Sequence, residues 1–516
     1  MTGPGPDDTP VRRHPDEGGP ASTDDPMATP VVETRSARRR RALRPVPGRS
    51  AALVTAAAVV LGVGMLSAAV PTPAPAPAVS AGDGVQVAPT SARTSSLFCV
   101  PGAGLDAGDG ATAGLVLTNT RRTTARGVMT TATGSGATSV RRDVTVPPLG
   151  NTEVAPGQGL PAGATATTLA FVGGGVTGTM VVGGPVGWTT APCASSVSSE
   201  WDFVGGSTST GLLDLSLYDP TAAQAVVDVS FLTSDGNVLA PQAYQGITLA
   251  PGQLVVAGLG AYVQNQPLVA TLVQTSSGAV VATELDRLAV PSGSGLALVT
   301  GTPAPASTWR FAQTTAVQGG SVTVAVANPG SSPVTAKVTV GLASATVMPK
   351  LLTVPGRSVA SFQPSAMAGW PLGSPYSVTV TAPSPIVVGR SIVAPPGGGS
   401  PRAGLTGGTT TTAESWLVVG PGMVGSPLVP GATMQSLAVA NPGPSAVEVT
   451  VTPLAGGRPV AMVRVAPNGL VVFGPAAVGG LRPLVVTASG PIGVEVDDGP
   501  VGAPGIVSAS GFPLGG

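Results

Sequence analysis

Val324-Ala325-Val326-Ala327-Asn328-Pro329 is the stretch that sets the fold of this chain. Larger and smaller apolar side chains alternate along it as in a strand, and it stops at an Asx-Pro pair. That pair is a turn signal: the Asx side chain can hold its own backbone, while proline fixes one dihedral and takes no ladder bond. The same stretch recurs as Leu215-Ser216-Leu217-Tyr218-Asp219-Pro220 and Leu437-Ala438-Val439-Ala440-Asn441-Pro442, with the turns 109 and 113 residues apart. Ahead of each stands Trp201-Asp202-Phe203, Trp309-Arg310-Phe311 or Trp416-Leu417-Val418, and these use three of the chain's five tryptophans about every 107 residues. One structural unit is being reused.

Other signals keep the same period. Pro251-Gly252, Pro355-Gly356 and Pro467-Asn468 each follow an alternating run such as Ile247-Thr248-Leu249-Ala250 or Val463-Arg464-Val465-Ala466, which reads as a strand entering a tight turn. A terminal hairpin is expected in each unit, with Val378-Thr379-Val380 facing Ile386-Val387-Val388 in the third and Leu484-Val485-Val486 facing Ile492-Gly493-Val494-Glu495-Val496 in the fourth. A more diverged first unit carries Leu115-Val116-Leu117-Thr118-Asn119, where Thr120 replaces the proline. It continues with Val144-Thr145-Val146-Pro147-Pro148 and with Phe171 to Val176 as its terminal hairpin.

About seven short Val- and Thr-rich strands per unit, with no helical periodicity, predict an all-β chain of tandem immunoglobulin-like β-sandwich repeats. The units span residues 91–198, 199–306, 307–411 and 412–516. Propeller blades need only about 40 to 50 residues, so sandwiches in series fit better than four blades. Each sandwich is expected to bury one face of each sheet and leave the other wet. Trp201, Trp309 and Trp416 are read as repeat markers covering one end of each sandwich, against the alternative of exposed sugar-stacking platforms.

Upstream, residues 1–50 are poor in large apolar groups and predict a disordered cytoplasmic tail. It carries the basic run Arg38-Arg39-Arg40-Arg41, and residues 51–70 then hold no charge over twenty positions, long enough as a helix to cross a bilayer. Arginines on that flank stay cytoplasmic, near inner-leaflet lipids, so the bulk of the chain is expected outside a single-pass membrane anchor. Cleavage near Ser67-Ala68-Ala69 or Ala74-Pro75-Ala76 would give a secreted protein instead. Residues 71–90 open on PTPAPAPAV and predict a stalk.

Export agrees with cysteine usage. Cys99 and Cys193 are the two cysteines, one near each end of the first unit, an arrangement suited to a disulfide in an oxidising compartment. Closing a loop of about 95 residues would stabilise that unit by roughly 4 to 5 kcal/mol in the loop-entropy model.

Charged residues are 10% of the chain and the formal net charge is zero, so nothing here steers nucleic acid. The sparse charge also leaves sheet edges without their usual protection. Either proline, glycine and neighbouring units cover those edges, or some of them pack on an envelope protein or wall polymer. The one histidine, His14, precedes the apolar segment, which removes histidine-based hydrolase and zinc mechanisms from the rest. Carboxylates remain: Glu284 and Asp286 two apart on one strand, and Glu495, Asp497 and Asp498 at the matching strand of the fourth unit, where the third has Gly389, Arg390 and Ser391. They are read as solvent-facing strand ends, with weak calcium binding or glycosidase chemistry as alternatives. Neither a cofactor nor a metal is expected.

Taken together, the Arg-rich tail, apolar span, Pro/Ala stalk, Trp-led units and paired cysteines resemble an uncharacterised family of membrane-anchored or secreted proteins of high-GC Gram-positive (actinobacterial) bacteria, a domain of unknown function. The resemblance covers about residues 50 to 516. It implies export and this organisation, and carries no activity. The expected function is a non-enzymatic cell-envelope scaffold, spacer or protein-binding module, with wall-polysaccharide binding or carbohydrate chemistry as the alternative.

Overall fold

The computed structural model describes residues 85 to 514 except 102–111, 135–137, 162, 185–186, 210–211, 291–292, 316–319, 344–345, 365–372, 395–401, 430 and 501–506. The chain divides into Met1–Ala78 and one compact unit, Val79–Gly516. The expected tail, membrane anchor and most of the stalk therefore lie outside the described residues, among which no helix is long and apolar enough to cross a membrane.

Strands dominate, as the alternation predicts. The first repeat comprises β1 (Thr94–Cys99), β2 (Thr112–Asn119), β3 (Ala125–Thr133), β4 (Ser139–Val146), β5 (Asn151–Val154), β6 (Thr165–Val172), β7 (Val176–Gly184) and β8 (Gly187–Pro192). The second comprises β9 (Glu200–Gly206), β10 (Leu212–Tyr218), β11 (Ala225–Thr233), β12 (Val238–Leu239), β13 (Ile247–Leu249), β14 (Leu254–Gly258), β15 (Val269–Ser277), β16 (Val281–Val290) and β17 (Gly293–Thr300). The third has β18 (Ala306–Thr315), β19 (Ser321–Asn328), β20 (Val334–Leu342), β21 (Thr346–Val354), β22 (Ser358–Phe362), β23 (Pro375–Ala394) and β24 (Arg402–Gly407). The fourth has β25 (Ala413–Val418), β26 (Ala432–Ala440), β27 (Val447–Pro453), β28 (Ala461–Val465), β29 (Leu470–Phe473), β30 (Leu484–Pro500), β31 (Val507–Ser510) and β32 (Phe512–Pro513).

Each repeat builds the same two sheets. One, the Trp sheet, runs β1-β6-β3-β4 in the first repeat and β12-β11-β15-β9 in the second; the other, the Asx sheet, runs β5-β2-β7-β8 and β14-β10-β16-β17. In the third and fourth repeats a single long strand serves both sheets. The first half of β23 pairs with β18 and β20, and its second half with β19 and β24. The expected terminal hairpins are therefore crossovers: Val378 and Val387 lie in different sheets, as do β6 and β7. The hairpin instead comes one strand later, as β7–β8, β16–β17, β23–β24 and β30–β31.

Two side chains recur in this frame, and the first holds the crossover. The indole N–H of Trp201 donates to the Val280 carbonyl at 2.8 Å, that of Trp309 to Ile386 at 2.8 Å and that of Trp416 to Ile492 at 3.1 Å, each acceptor lying where the chain changes sheets. All three rings are wholly buried. By strand register Leu97 takes this place in the first repeat, and Cys99, two residues on, is bonded to Cys193. The second side chain is the Asx. Asn328 Nδ2 donates to the carbonyls of Ser332 at 2.8 Å and Pro355 at 3.0 Å, while its Oδ1 accepts the Gly330 amide at 3.0 Å. Asn119 and Asn441 repeat these bonds.

The repeats then close into a ring. The Trp sheet of each packs its outer face on the Asx sheet of the next: β1 and β6 toward β10, β16 and β17; β9 on β19, β23 and β24; β18 on β26 and β30. The fourth returns to the first, where Leu417 and Val419 meet Val116, Val181 and Trp188. Central outer faces expected to be wet are thus buried in four seams. Small residues permit the approach: a Cβ on Gly389 would sit 2.0 Å from the Val204 carbonyl, and one on Gly114 2.2 Å from Leu428 Cδ1.

Asp219 is the exception among the Asx residues. It accepts bonds from the Thr221 amide at 2.8 Å and hydroxyl at 2.7 Å, but its side chain lacks the N–H that Asn donates to the turn carbonyls, and its Oδ2 is left unpaired and buried. Asp219→Asn is expected to raise stability by about 1 kcal/mol, the worth of a recovered hydrogen bond. Urea unfolding of both proteins checks this; a lower midpoint in the variant contradicts the equivalence.

Candidate functional site

Three places gather polar chemistry: the crossover strands, the ring axis and the edge of β1. On the crossover strands, registers align Met180, Glu284, Arg390 and Val496 on the inner face, with Asp286 and Asp498 two residues further along their strands. Glu284 and Asp286 therefore point into the second sandwich. Glu495 and Asp497 lie on the opposite face of their strand from Asp498 and look toward the third repeat. The five carboxylates do not form one constellation.

None of the four residues Glu284, Asp286, Glu495 and Asp498 is a solvent-facing strand end, because neighbouring repeats and sheets cover them: each is at most 3% exposed. Glu284 accepts the Thr271 hydroxyl at 2.9 Å, and burial lifts its carboxyl to about 7. Asp286 is raised well above the usual carboxylate range by burial first and then by Glu284. Asp498 rises to about 7 by burial and by Asp497, partly offset by the Gly422 amide. Asp497, enclosed by its neighbours though its edge reaches solvent, is raised to about 6 by desolvation and Glu495, with Arg390, Ser508 and Ser436 opposing. A further acid, Asp202, shares the outer face of β9 with Val204 at the seam with the third repeat. Neither of its oxygens has a hydrogen bond, and burial with nearby Glu200 lifts it to about 8. Nothing in the sequence marked Asp202 as buried, since only the closed seam covers it.

Arg390 is the one basic group of this set. It is fully buried, lies 4.8 Å over the Phe311 ring, and binds the Gln313 carbonyl, the Thr314 hydroxyl at 2.7 Å and Glu495. Glu495 also accepts the Gln313 amide at 3.0 Å, and Gln313 continues to Ser436 at 2.8 Å. This network locks the third repeat to the fourth.

At the ring axis β8, β17, β24 and β31 enclose a cavity of about 100 Å³. Each strand supplies a hydroxyl, Thr190, Thr300, Thr406 and Ser508, and no charged side chain lines it. By volume it has room for several waters. A larger groove of about 740 Å³ runs beside β1, lined by Thr94, Ser96, Phe98, Ser196, Ser198 and Pro303 and likewise free of charge. Neither space touches Glu284, Asp286, Glu495, Asp497 or Asp498. Among the described residues no group of three or more Asp, Glu, Cys or His could hold a metal ion.

These features define an all-β repeat protein with acids held in its core and seams, not around an open cleft. Residues 162–468 match the family of unknown function DUF5719, and with more than half its length matched the chain belongs to that family. No curated protein matches it. Similar solved structures include the crystal structure of Thermotoga maritima 1070, 16% identical, covering 20% of this chain and 93% of that one with a TM-score of 0.19. Another is a tetra-tandem repeat from the extending region of a large adhesion protein, 14% identical, covering 81% of this chain and all of that one with a TM-score of 0.08. Neither superposes closely enough to carry its fold across.

Two outcomes follow from the buried charges. Asp202 titrates near 4 when unfolded and near 8 when folded, so between these values only the folded state holds its proton. Stability from this group is then greatest toward pH 4 and falls as pH rises, by at most about 1.4 kcal/mol per pH unit. Asp202→Asn should flatten the fall in urea midpoint between pH 5 and pH 8, and an unchanged slope contradicts it. Arg390→Leu alone strands Glu495 and should cost about 3 to 5 kcal/mol, whereas Arg390→Leu with Glu495→Leu should recover much of that in a double-mutant cycle.

Proposed function

We propose that the protein is a non-enzymatic scaffold or protein-binding module of the cell envelope, built from four immunoglobulin-like sandwiches held outside the membrane by the apolar segment 51–70. The observation that carries this reading is the closed ring. Its repeats spend their flat faces on one another, and its start and end meet, with Val87 bridged to Leu514. Such a body adds little reach, which favours a rigid platform over a spacer. The buried Cys99–Cys193 bond suits an oxidising compartment. Trp201, Trp309 and Trp416 have no exposed face on which a sugar could stack, which weighs against the carbohydrate alternative.

The test is topology and company in the native cell. With a tag at each end of the full chain, external protease should remove the C-terminal tag from intact cells and spare the N-terminal one. In-cell crosslinking should recover a discrete protein partner, while purified wall polymer retains none of the protein. A C-terminal tag that becomes accessible only after lysis overturns the exported location.

A further inference from the structure

The Trp strand of every repeat carries a rung on its free edge, the side away from the rest of its sheet. Phe98 bridges Ala194, Asp202 bridges Thr302, Arg310 bridges Thr409 and Leu417 pairs with Phe512, all antiparallel. Backbone groups of an antiparallel ladder alternate sides, so residues two before each rung also aim their N–H and C=O at that edge. In the fourth repeat the position is filled: the Leu514 amide donates to the Ser415 carbonyl at 2.9 Å, as Phe512 to Leu514 run along β25. The equivalent residue in the first repeat is Ser96.

Here the partner strand leaves. After Ala194 the chain swings off to the second repeat, where Ser198 exchanges both backbone bonds with Val280. Ser96 and Thr94 keep their ladder to β6 but have no backbone partner on the outer edge among the described residues. The wedge between β1 and residues 195–198, lined also by the segment from Gln86 to Pro89, is the 740 Å³ groove. We infer that this groove binds an extended, uncharged peptide segment of another protein, which adds to β1 as a strand at the rungs of Thr94 and Ser96.

Three observations commit the site to that occupant. The edge groups without a protein partner among the described residues are backbone donors and acceptors at strand spacing, which another strand can pair rung by rung. In the fourth repeat Phe512 to Leu514 are seated on the equivalent edge, that of β25. The lining is neutral, so a charged segment would lose hydration with nothing to replace it. Two rungs, about 7 Å apart, accommodate roughly four to five residues. The inference names the partner class and the docking place for the protein-binding reading. It is tested on purified protein, so exported location and peptide capacity can fail separately.

The experiment uses the full-length chain immobilised against a displayed library of random hexapeptides, with Ser96→Pro and Ser196→Trp as variants. Proline at Ser96 removes the outward N–H without touching the bonds to β6, and a tryptophan at Ser196 fills the groove from its other wall. Wild type should enrich uncharged, β-branched sequences at least tenfold over both variants, each of which should keep the wild-type unfolding midpoint within a few degrees. Hydrogen exchange should find the Ser96 amide fast in the free protein and slowed at least tenfold by a selected peptide. No enrichment, enrichment that survives both variants, selection of charged sequences, or a Ser96 amide already protected without peptide would each overturn the inference.

Discussion

The buried Asx side chain, an amide in three of the four repeats, is the contact on which the repeat depends. A two-sheet unit must satisfy every backbone group where strands end inside it, and the carbonyls of a tight turn are the hardest to reach with water. Asn328 reaches both turns at that end of its sandwich, the one it starts and the one after Val354. Its backbone sits on β19, so the same residue ties the Asx sheet to the closing turn of the Trp sheet. At the crossover itself the indole N–H of Trp309 holds the Ile386 carbonyl. On either side of Ile386 the long strand β23 has one register in each sheet.

Ring closure follows from a single interface used four times. A head-to-tail contact either propagates or closes, according to the rotation per step, and here four steps return to the start. Closure exposes a conflict that identical repeats could not resolve, because any Trp sheet would then fit any Asx sheet. One aligned position answers it differently in each seam. Thr283 donates to the Val100 carbonyl at 3.2 Å, Gly389 leaves room for the Val204 carbonyl, Glu495 takes the Gln313 amide, and Thr179 is buried against the fourth repeat. Placing Glu495 in any other seam would bury a carboxylate away from Arg390. That penalty helps to specify the order of repeats.

Much of the repeat was legible because its devices are local. Asx-Pro, Pro-Gly and the spacing of the tryptophans state strand, turn and period within a few residues, and Cys99 with Cys193 leaves one pairing. The crossovers were misread as hairpins for a physical reason. Two apolar runs separated by Thr381 to Pro385 look alike whether they turn back within one sheet or pass to the facing one. Only Ile386, whose carbonyl meets Trp309, distinguishes the cases. The carboxylates escape a sequence reading for two reasons: Glu284, Asp286 and Asp498 face the inside of their own sandwiches, where alternation alone predicts apolar residues, and burial of Glu495 at a seam is a property of the closed ring. Asp202 and Glu495 stand on alternating strands like any solvent-facing acid, and the surfaces that cover them lie more than a hundred residues away in sequence.

Departures from the repeat therefore carry more information than the repeat itself. Agreement among Asn119, Asn328 and Asn441, or among the three indoles, reports what a sandwich needs in order to stand. Difference reports what each position in the ring needs in addition: a disulfide beside Leu97, which takes the tryptophan's place in the first unit, an ion pair in one seam, and a Trp-strand edge closed by Leu514 in the fourth repeat but without a backbone partner among the described residues at Ser96 in the first. An open strand edge in a chain with 10% charged residues invites aggregation unless something covers or twists it. Around β1 the segment 195–198 walls the edge into a groove, which admits one strand while keeping a second sheet from approaching. That geometry shields a free edge without the lysines that edge strands ordinarily use.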